Sequence, residues 1–367
     1  MPEVKCSVCE FCCATSADES FAIFPRCMVG KKVPKGRSAG LPRLEQEPIM
    51  ILLYYSYVEV QDVSSALDWH RKLCEHLDLR GRVRIAPEGL NILLDGRKAA
   101  LQCYCDAVQS SGDYGHDIDF KLSGGRGDGE RFPKLSCKPV GHVVEMGVED
   151  SIARPESGGK HVSAEEWHSL LSDISRTEGA LDDIVLLDTR NIYESRIGRF
   201  ECPGVNTLAP DFRHFAQFPK FIDDSTEHFK DKRVLMYCTG GVRCERASSY
   251  LLSKNVAKEV IQLKGGICRY LERFQGDDNY FHGKNFTFDY RRHEPWHDDK
   301  ILGRCDGCQI PWDDYDNGPE ARCCKCRTLM LLCDQCRQMP SGPQFNALLC
   351  GGDQCTGEQI CCGCGWG

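Results

Sequence analysis

An apolar run, Val234-Leu235-Met236-Tyr237, leads directly into Cys238-Thr239-Gly240-Gly241-Val242-Arg243 and then into a helical stretch ending near Ser253. A strand, a glycine turn that opens on a cysteine, and a helix, in that order, confine this part of the chain to an α/β layer structure. A strand apolar on both faces needs cover on both sides. Successive N–H groups around Gly240 and Gly241, the positive end of the helix and the Arg243 guanidinium together make a cradle for an anion centred on the cysteine sulfur. Such surroundings lower a thiol pKa, so Cys238 is expected to be a thiolate near neutral pH and a nucleophile. A purely structural core cysteine would need neither the glycines nor the arginine.

The same alternation continues on both sides of the loop. Ser163, followed three residues later by Glu166, is a capping-box signature for a helix start. After it come a buried-type strand (Ile184-Val185-Leu186-Leu187), a helix near residues 212–221 and a strand near Val260-Ile261-Gln262. Residues 161–285 are thus expected to form a parallel α/β domain. Upstream, the pattern gives a strand over 49–58, a helix over 63–77 with Ala66, Leu67, Trp69, Leu73 and Leu77 near one face, and a strand over 82–86. A Pro87-Glu88-Gly89 turn leads to a strand over 91–94, a helix over 98–109 and a strand near 119–122. The order βαββαβ is the split ferredoxin-like arrangement, placed at residues 48–122. Residues 1–47 read as a flexible cysteine-containing tail, and 123–160 as a linker with room for one further extended segment.

Cysteine usage sets the third expectation. Of 25 cysteines, 12 lie from Cys305 onward. Such density means a disulfide framework in an oxidising compartment or thiolates on metal in a reducing one. The first 47 residues carry no apolar core of a secretion signal, which favours metal and a cytoplasmic location, with a plastid or mitochondrial signal left open. Cys305-x2-Cys308, Cys323-x2-Cys326 and Cys333-x2-Cys336 each point two thiolates at one tetrahedral zinc. Residues 300–367 are therefore expected to be a structural zinc module, with metal supplying much of its folding energy because few apolar residues follow Trp312. Cys6, Cys9 and Cys12 are weaker metal candidates, and His282, His293 and His297 read as surface residues.

Charge and hydropathy exclude two classes. No apolar run reaches the length of a membrane span. A net charge of −8 argues against wholesale coating of nucleic acid. Between Lys230 and Arg273, however, ten basic residues face four acidic ones, leaving either an anionic-substrate site or a solvated helix face. Four residues separate Cys238 from Arg243, one fewer than in cysteine phosphatases, which disfavours phosphatase chemistry.

The run 238–245, Asp188-Thr189-Arg190, Ile197-Gly198-Arg199-Phe200 and Leu263-Lys264-Gly265-Gly266-Ile267 resembles the rhodanese domain of the tRNA uridine 5-hydroxylase family. The segments 82–91 and Phe132-Pro133-Lys134-Leu135 resemble that family's N-terminal, acylphosphatase-like domain. The cysteine-rich tail is closer to eukaryotic rhodanese-domain proteins of the same superfamily. The resemblance implies oxygen-dependent conversion of the wobble uridine of tRNA to 5-hydroxyuridine, with Cys238 as the catalytic cysteine. Cys238 thiolate would add to C6 of uracil, with Arg243 and the loop N–H groups stabilising the charge that develops. Thr239, Gly240, Gly241 and Val242 would line the substrate, with Asp188 and Arg190 either contacting it or bracing the loop as an ion pair. The electron source is open between Cys244 and a small thiol. Arg82, Arg84, Glu88 and Asn91 either shape an RNA-facing loop or hold a turn. Two other readings of the loop stay open: a sulfurtransferase that carries a persulfide on Cys238 from thiosulfate, a small thiol or another persulfide donor to cyanide, a thiol or a partner protein, and a zinc-dependent interaction module that senses redox state.

Overall fold

The computed structural model describes residues 47–338 apart from 128, 150, 178–182, 277, 295–299, 316–320 and 324–327. Cys6, Cys9, Cys12, His297 and Cys326 lie outside the described residues, as do all cysteines beyond Cys336. The chain forms two compact units that divide between Val143 and Val144.

The first unit holds β1 (Ile49–Tyr57), α1 (Val63–His76), β2 (Arg80–Ala86), β3 (Gly89–Arg97), α2 (Lys98–Ser111), β4 (Lys121–Gly124) and β5 (Leu135–Pro139). Its sheet runs β4-β1-β3-β2-β5. The first four strands pair antiparallel, giving the expected βαββαβ arrangement, while β5 adds in parallel beside β2. The stretch read as a linker with room for one further extended segment thus supplies a fifth strand at Leu135–Pro139.

Asp62 caps α1 by accepting a 3.0 Å hydrogen bond from the Ser65 N–H. Ala66, Leu67, Leu73 and Leu77 are buried as expected, but His70 is buried where Trp69 is only partly so. The His70 imidazole Nδ1 lies 2.7 Å from the Tyr104 hydroxyl, which in turn meets Tyr54 at 3.0 Å, so a polar chain threads this core.

The second unit contains β6 (Lys160–Val162), α3 (Ala164–Arg176), β7 (Ile184–Asp188), α4 (Ile192–Ser195), β8 (Gly198–Phe200), β9 (Asn206–Leu208), α5 (Phe218–Asp224), β10 (Arg233–Tyr237), α6 (Val242–Ser253), β11 (Glu259–Leu263), α7 (Gly266–Arg273), β12 (Phe281–Gly283) and α8 (Asp334–Gln338). Five strands pair in parallel in the order β6-β11-β10-β7-β9. Along β10, Val234 and Met236 enter one core while Leu235 and Tyr237 enter the other, as strict alternation in a sheet covered on both faces requires. Cys238 continues the first series, which brings its side chain to the sheet's carboxyl edge. The Ser163 capping box forms as read, with Glu166 N–H donating to Ser163 Oγ at 3.2 Å and Ser163 N–H to Glu166 Oε2 at 2.7 Å.

The cysteine-rich region has more apolar content than its composition suggested. Leu329, Met330, Leu331 and Leu332 are all buried, and they alternate between two clusters. Met330 and Leu332 pack with Cys305, Cys323, Cys333 and Cys336, whereas Leu329 and Leu331 pack with Ile197, Phe286 and Tyr315. The region is therefore docked on the parallel α/β core by a hydrophobic contact, while its cysteines pack among themselves. No helix among the described residues is long and apolar enough to cross a membrane.

Candidate active site

Cys238 stands between the end of β10 and the start of α6. Its sulfur is fully buried and accepts a hydrogen bond from the Gly241 N–H at 3.1 Å. Gly241 precedes the helix with φ +101°, a conformation that folds the loop back over the sulfur and that side chains strongly disfavour. A second glycine fixes the loop from below. At Gly266, with φ +66°, a Cβ would lie 2.5 Å from the Cys238 carbonyl oxygen and 2.7 Å from that of Thr239. The Ile267 and Cys268 N–H groups donate to those same two carbonyls at 3.0 Å each, so the first turn of α7 holds the reactive loop by its backbone.

Burial opposes ionisation of Cys238. The Cys244 thiol, the Arg243 guanidinium and the Arg243 and Cys244 N–H groups outweigh it and pull the thiol down from 9.0 to about 5. Cys244, equally buried, is pushed well above the ordinary thiol range by burial and by the neighbouring sulfur. Thiolate absorbance that vanishes on Cys238→Ser should therefore be fully developed at neutral pH and lost on acidification through about 5. The folded pKa is depressed, so the linked stability is complete above the ordinary 9.0 and fades as pH falls through about 5. Cys244→Ala removes the hydrogen bond from the neighbouring thiol and should move that midpoint upward; an unmoved midpoint would remove Cys244 from the thiolate's environment.

Arg243 does not hang over an open cradle. Its Nη1 and Nη2 donate to Glu194 at 2.6 and 2.7 Å, and Nη2 also reaches the Thr239 hydroxyl at 3.2 Å. Glu194 is completely buried, and its carboxylate also accepts from the Thr239 hydroxyl at 3.2 Å and from the Asn191 N–H at 3.1 Å. Arg243, expected to stabilise negative charge on the adduct, is thus already paired with a buried carboxylate. Its charge is matched by a carboxylate, and it acts on Cys238 through space while pinning the loop. Sequence reasoning missed Glu194; the available signal was an acid four residues beyond Arg190, just past the carboxyl end of a buried parallel strand.

Asp188 and Arg190 are fully buried and paired with each other, Nη2 to Oδ2 at 2.6 Å and Nε to Oδ1 at 2.9 Å. The Arg190 Nη2 also donates to the Gly198 carbonyl. Of the two readings, this geometry is the internal brace. Between them Thr189 donates through N–H and hydroxyl to the Tyr237 carbonyl, both at 3.0 Å, and lies 3.6 Å from the Cys244 sulfur. Thr239, Gly240 and Gly241 are buried and Val242 is partly exposed.

Half of the ten local basic residues sit in ion pairs, Arg243 with Glu194 among them. Arg233 meets Glu259, Lys254 meets Asp223, Arg269 meets Glu272 and Arg273 meets Glu165, while Arg246 donates to the Val144 and Val148 carbonyls. In the first unit, Arg84 donates to the Ser136 carbonyl at 2.6 Å, Glu88 accepts from the Val143 N–H at 2.7 Å and Asn91 donates to the Val143 carbonyl at 3.4 Å. These three side chains tie the β5 segment to the β2–β3 hairpin, while Arg82 lies over the Phe132 ring.

The sulfurs of Cys305, Cys308, Cys333 and Cys336 all lie within 4.8 Å of one another, a set that could hold a metal ion. The Cys333 N–H donates to the Cys305 sulfur at 3.3 Å, as expected where a thiolate is stabilised for coordination. Two of the three knuckles thus share one site. Cys323, of the third, is buried in the same cluster but is not one of the four. This centre is tied to the active site: Asp306, next to Cys305, accepts from Arg196 at 3.1 Å, and the Tyr315 hydroxyl donates to the Tyr193 carbonyl at 2.8 Å. Tyr193 and Arg196 flank Glu194. His282 sits in β12, and His293, partly buried, bridges to Phe286.

Residues 49–143 match the family described as UPF0176 acylphosphatase like domain, and residues 282–364 match the family described as Rhodanase C-terminal. A Corynebacterium jeikeium protein named tRNA uridine(34) hydroxylase is 34% identical over 312 residues, covering 83% of this chain and 94% of that one. One of the same name from Pseudarthrobacter chlorophenolicus is 35% identical over 296 residues, covering 79% and 95%. Rhodanese-like domain-containing protein 6 of Arabidopsis thaliana is 39% identical over 303 residues, 80% of this chain but only 51% of that longer protein.

Proposed function

The chain belongs to the tRNA uridine(34) hydroxylase family, and from that premise we propose that it converts the wobble uridine of tRNA to 5-hydroxyuridine, with dioxygen as co-substrate and Cys238 as nucleophile. One observation carries the chemistry beyond kinship: a buried sulfur that accepts from the Gly241 N–H and has a depressed pKa, beside an arginine whose charge is already matched by Glu194. A neutral pyrimidine ring can meet such a loop without an unpaired charge. A dianion such as thiosulfate would face the Glu194 carboxylate with no surplus guanidinium to offset it, which weighs against the sulfurtransferase reading.

The thiolate adds to C6 of uracil and places electron density at C5, where oxygen is taken up. The N–H groups of the loop stabilise the thiolate before addition and receive it again on elimination. Arg243 is a positioning residue in this scheme, holding Thr239 and the loop through Glu194. The test is nucleoside mass spectrometry of tRNA incubated aerobically with the purified protein and a thiol reductant. Accumulating 5-hydroxyuridine supports the reading; its absence, alongside a Cys238 persulfide formed from thiosulfate, would transfer the protein to sulfur chemistry.

We assign zinc to the four-cysteine centre, since four thiolates in a tetrahedral set suit it and a reducing cytoplasm keeps them available. Cys305, Cys308, Cys333 and Cys336 would close the metal's coordination, leaving it structural. Elemental analysis should find about one tightly held zinc per described four-cysteine centre, lost in Cys336→Ser. Because Leu329 and Leu331 also dock this region, zinc loss should shift melting without abolishing the cooperative transition of the α/β core. Unchanged zinc content in the variant would sink the ligand assignment.

A further inference from the structure

The hydroxylation needs two electrons that neither uridine nor oxygen supplies. We propose that Cys238 and Cys244 form an internal dithiol that delivers them, closing to a disulfide in each turnover; this rests on the hydroxylase reading above. The two thiols hydrogen-bond each other, and both are completely buried. Cys244 is the third residue of α6, so the same helix start that presents the Cys238 loop also presents the second sulfur. On its other side Cys244 lies 3.6 Å from the Thr189 hydroxyl, and burial, Cys238 and the neighbouring Glu245 keep its thiol protonated. Asp188, Arg190, Glu194 and Arg243, the charged groups around the loop, are locked in ion pairs, and none of them is a two-electron donor.

The balance closes with these two sulfurs. Addition of Cys238 to C6 generates a C5 carbanion, which takes up dioxygen and a proton to give a C5 hydroperoxide. Loss of the C5 proton and of the Cys238 thiolate restores the ring double bond. Cys244 then attacks the outer peroxide oxygen; the O–O bond breaks, C5 keeps one oxygen as hydroxyl and Cys244 becomes a sulfenic acid. Attack by Cys238 on that sulfur forms the disulfide and releases the second oxygen as water. In sum, uridine, one dioxygen and two thiols give 5-hydroxyuridine, water and one disulfide. An external thiol reopens the disulfide by exchange. Adjacency decides the order: C5 neighbours the atom bonded to Cys238, and Cys244 neighbours Cys238.

The test is a single turnover with reduced full-length protein freed of added thiol, mixed aerobically with tRNA. The wild type should yield up to one 5-hydroxyuridine per chain, matched by loss of two titratable thiols and a Cys238–Cys244 disulfide in the peptide map. Cys244→Ala should lower that thiol-free yield at least about tenfold and recover part of it when excess small thiol is added. Product from the wild type without a matching disulfide overturns the proposal, and needs no variant to fold. So does a thiol-free yield in Cys244→Ala equal to the wild type's. If the wild type makes no product even with excess dithiol, the hydroxylase reading itself falls and takes this one with it.

Discussion

Replacing Cys238 with serine should lower 5-hydroxyuridine formation at least about a thousandfold while leaving tRNA affinity within about a factor of two. The sulfur is the group that adds to the ring, and the loop around it is built for a thiolate: the Gly241 N–H points at it, and the surrounding donors pull its pKa to about 5. A serine hydroxyl fits the same space but does not ionise there, so the fold and the tRNA-contacting surface should persist. Nucleoside mass spectrometry gives the first number and filter binding at fixed salt the second, since phosphate contacts make affinity salt-dependent. Unchanged product would take Cys238 out of the chemistry. Loss of binding together with a broadened melting transition would make the cysteine structural.

The parts of this molecule that were legible in its sequence are those governed by short periods. The β10 strand apolar on both faces and the Ser163 capping box are local patterns with local causes, and both appear as read. The Cys238 loop was legible for the same reason, because two glycines and a cysteine after a buried strand admit few geometries. What stayed hidden depends on partners distant in sequence. β5 reads as no more than a possible extended segment within a linker, because its hydrogen bonds go to β2, some fifty residues earlier. The partner of Arg243 stayed hidden because Glu194 lies forty-nine residues away. Arg82 and Asn91 illustrate the converse: exposed-looking polar residues on a hairpin invited an RNA-facing reading, yet Asn91 spends a donor on Val143. The buried Leu329-Met330-Leu331-Leu332 run was discounted amid polar and cysteine-rich sequence, since a four-residue apolar stretch carries no periodicity to mark its two faces.

Glu194→Gln should lower stability by about 3 kcal/mol and make the protein responsive to dianions, the second large effect expected here. In the wild type the Arg243 and Glu194 side chains are 8% and 0% exposed and joined at 2.6 and 2.7 Å, so the pair is desolvated on both sides and its charges cancel. Glutamine keeps the shape and one acceptor but leaves a buried guanidinium unmatched, the costliest outcome for such a pair. An anion that enters the loop then supplies the missing charge. Thiosulfate or sulfate should consequently raise the melting temperature of Glu194→Gln in a concentration-dependent way and leave the wild type nearly unmoved, as linkage to folded-state binding requires. Adding Arg243→Met to the same chain removes the orphaned charge and should recover much of the lost stability while abolishing the anion response. The two variants set beside the wild type separate two ideas that a single substitution would confound. Stability lost and regained in this pattern attributes the effect to charge matching. If the wild type is stabilised by thiosulfate as strongly as Glu194→Gln, the loop accepts dianions with Glu194 in place, and sulfur transfer through a Cys238 persulfide becomes the better account of what the loop is for.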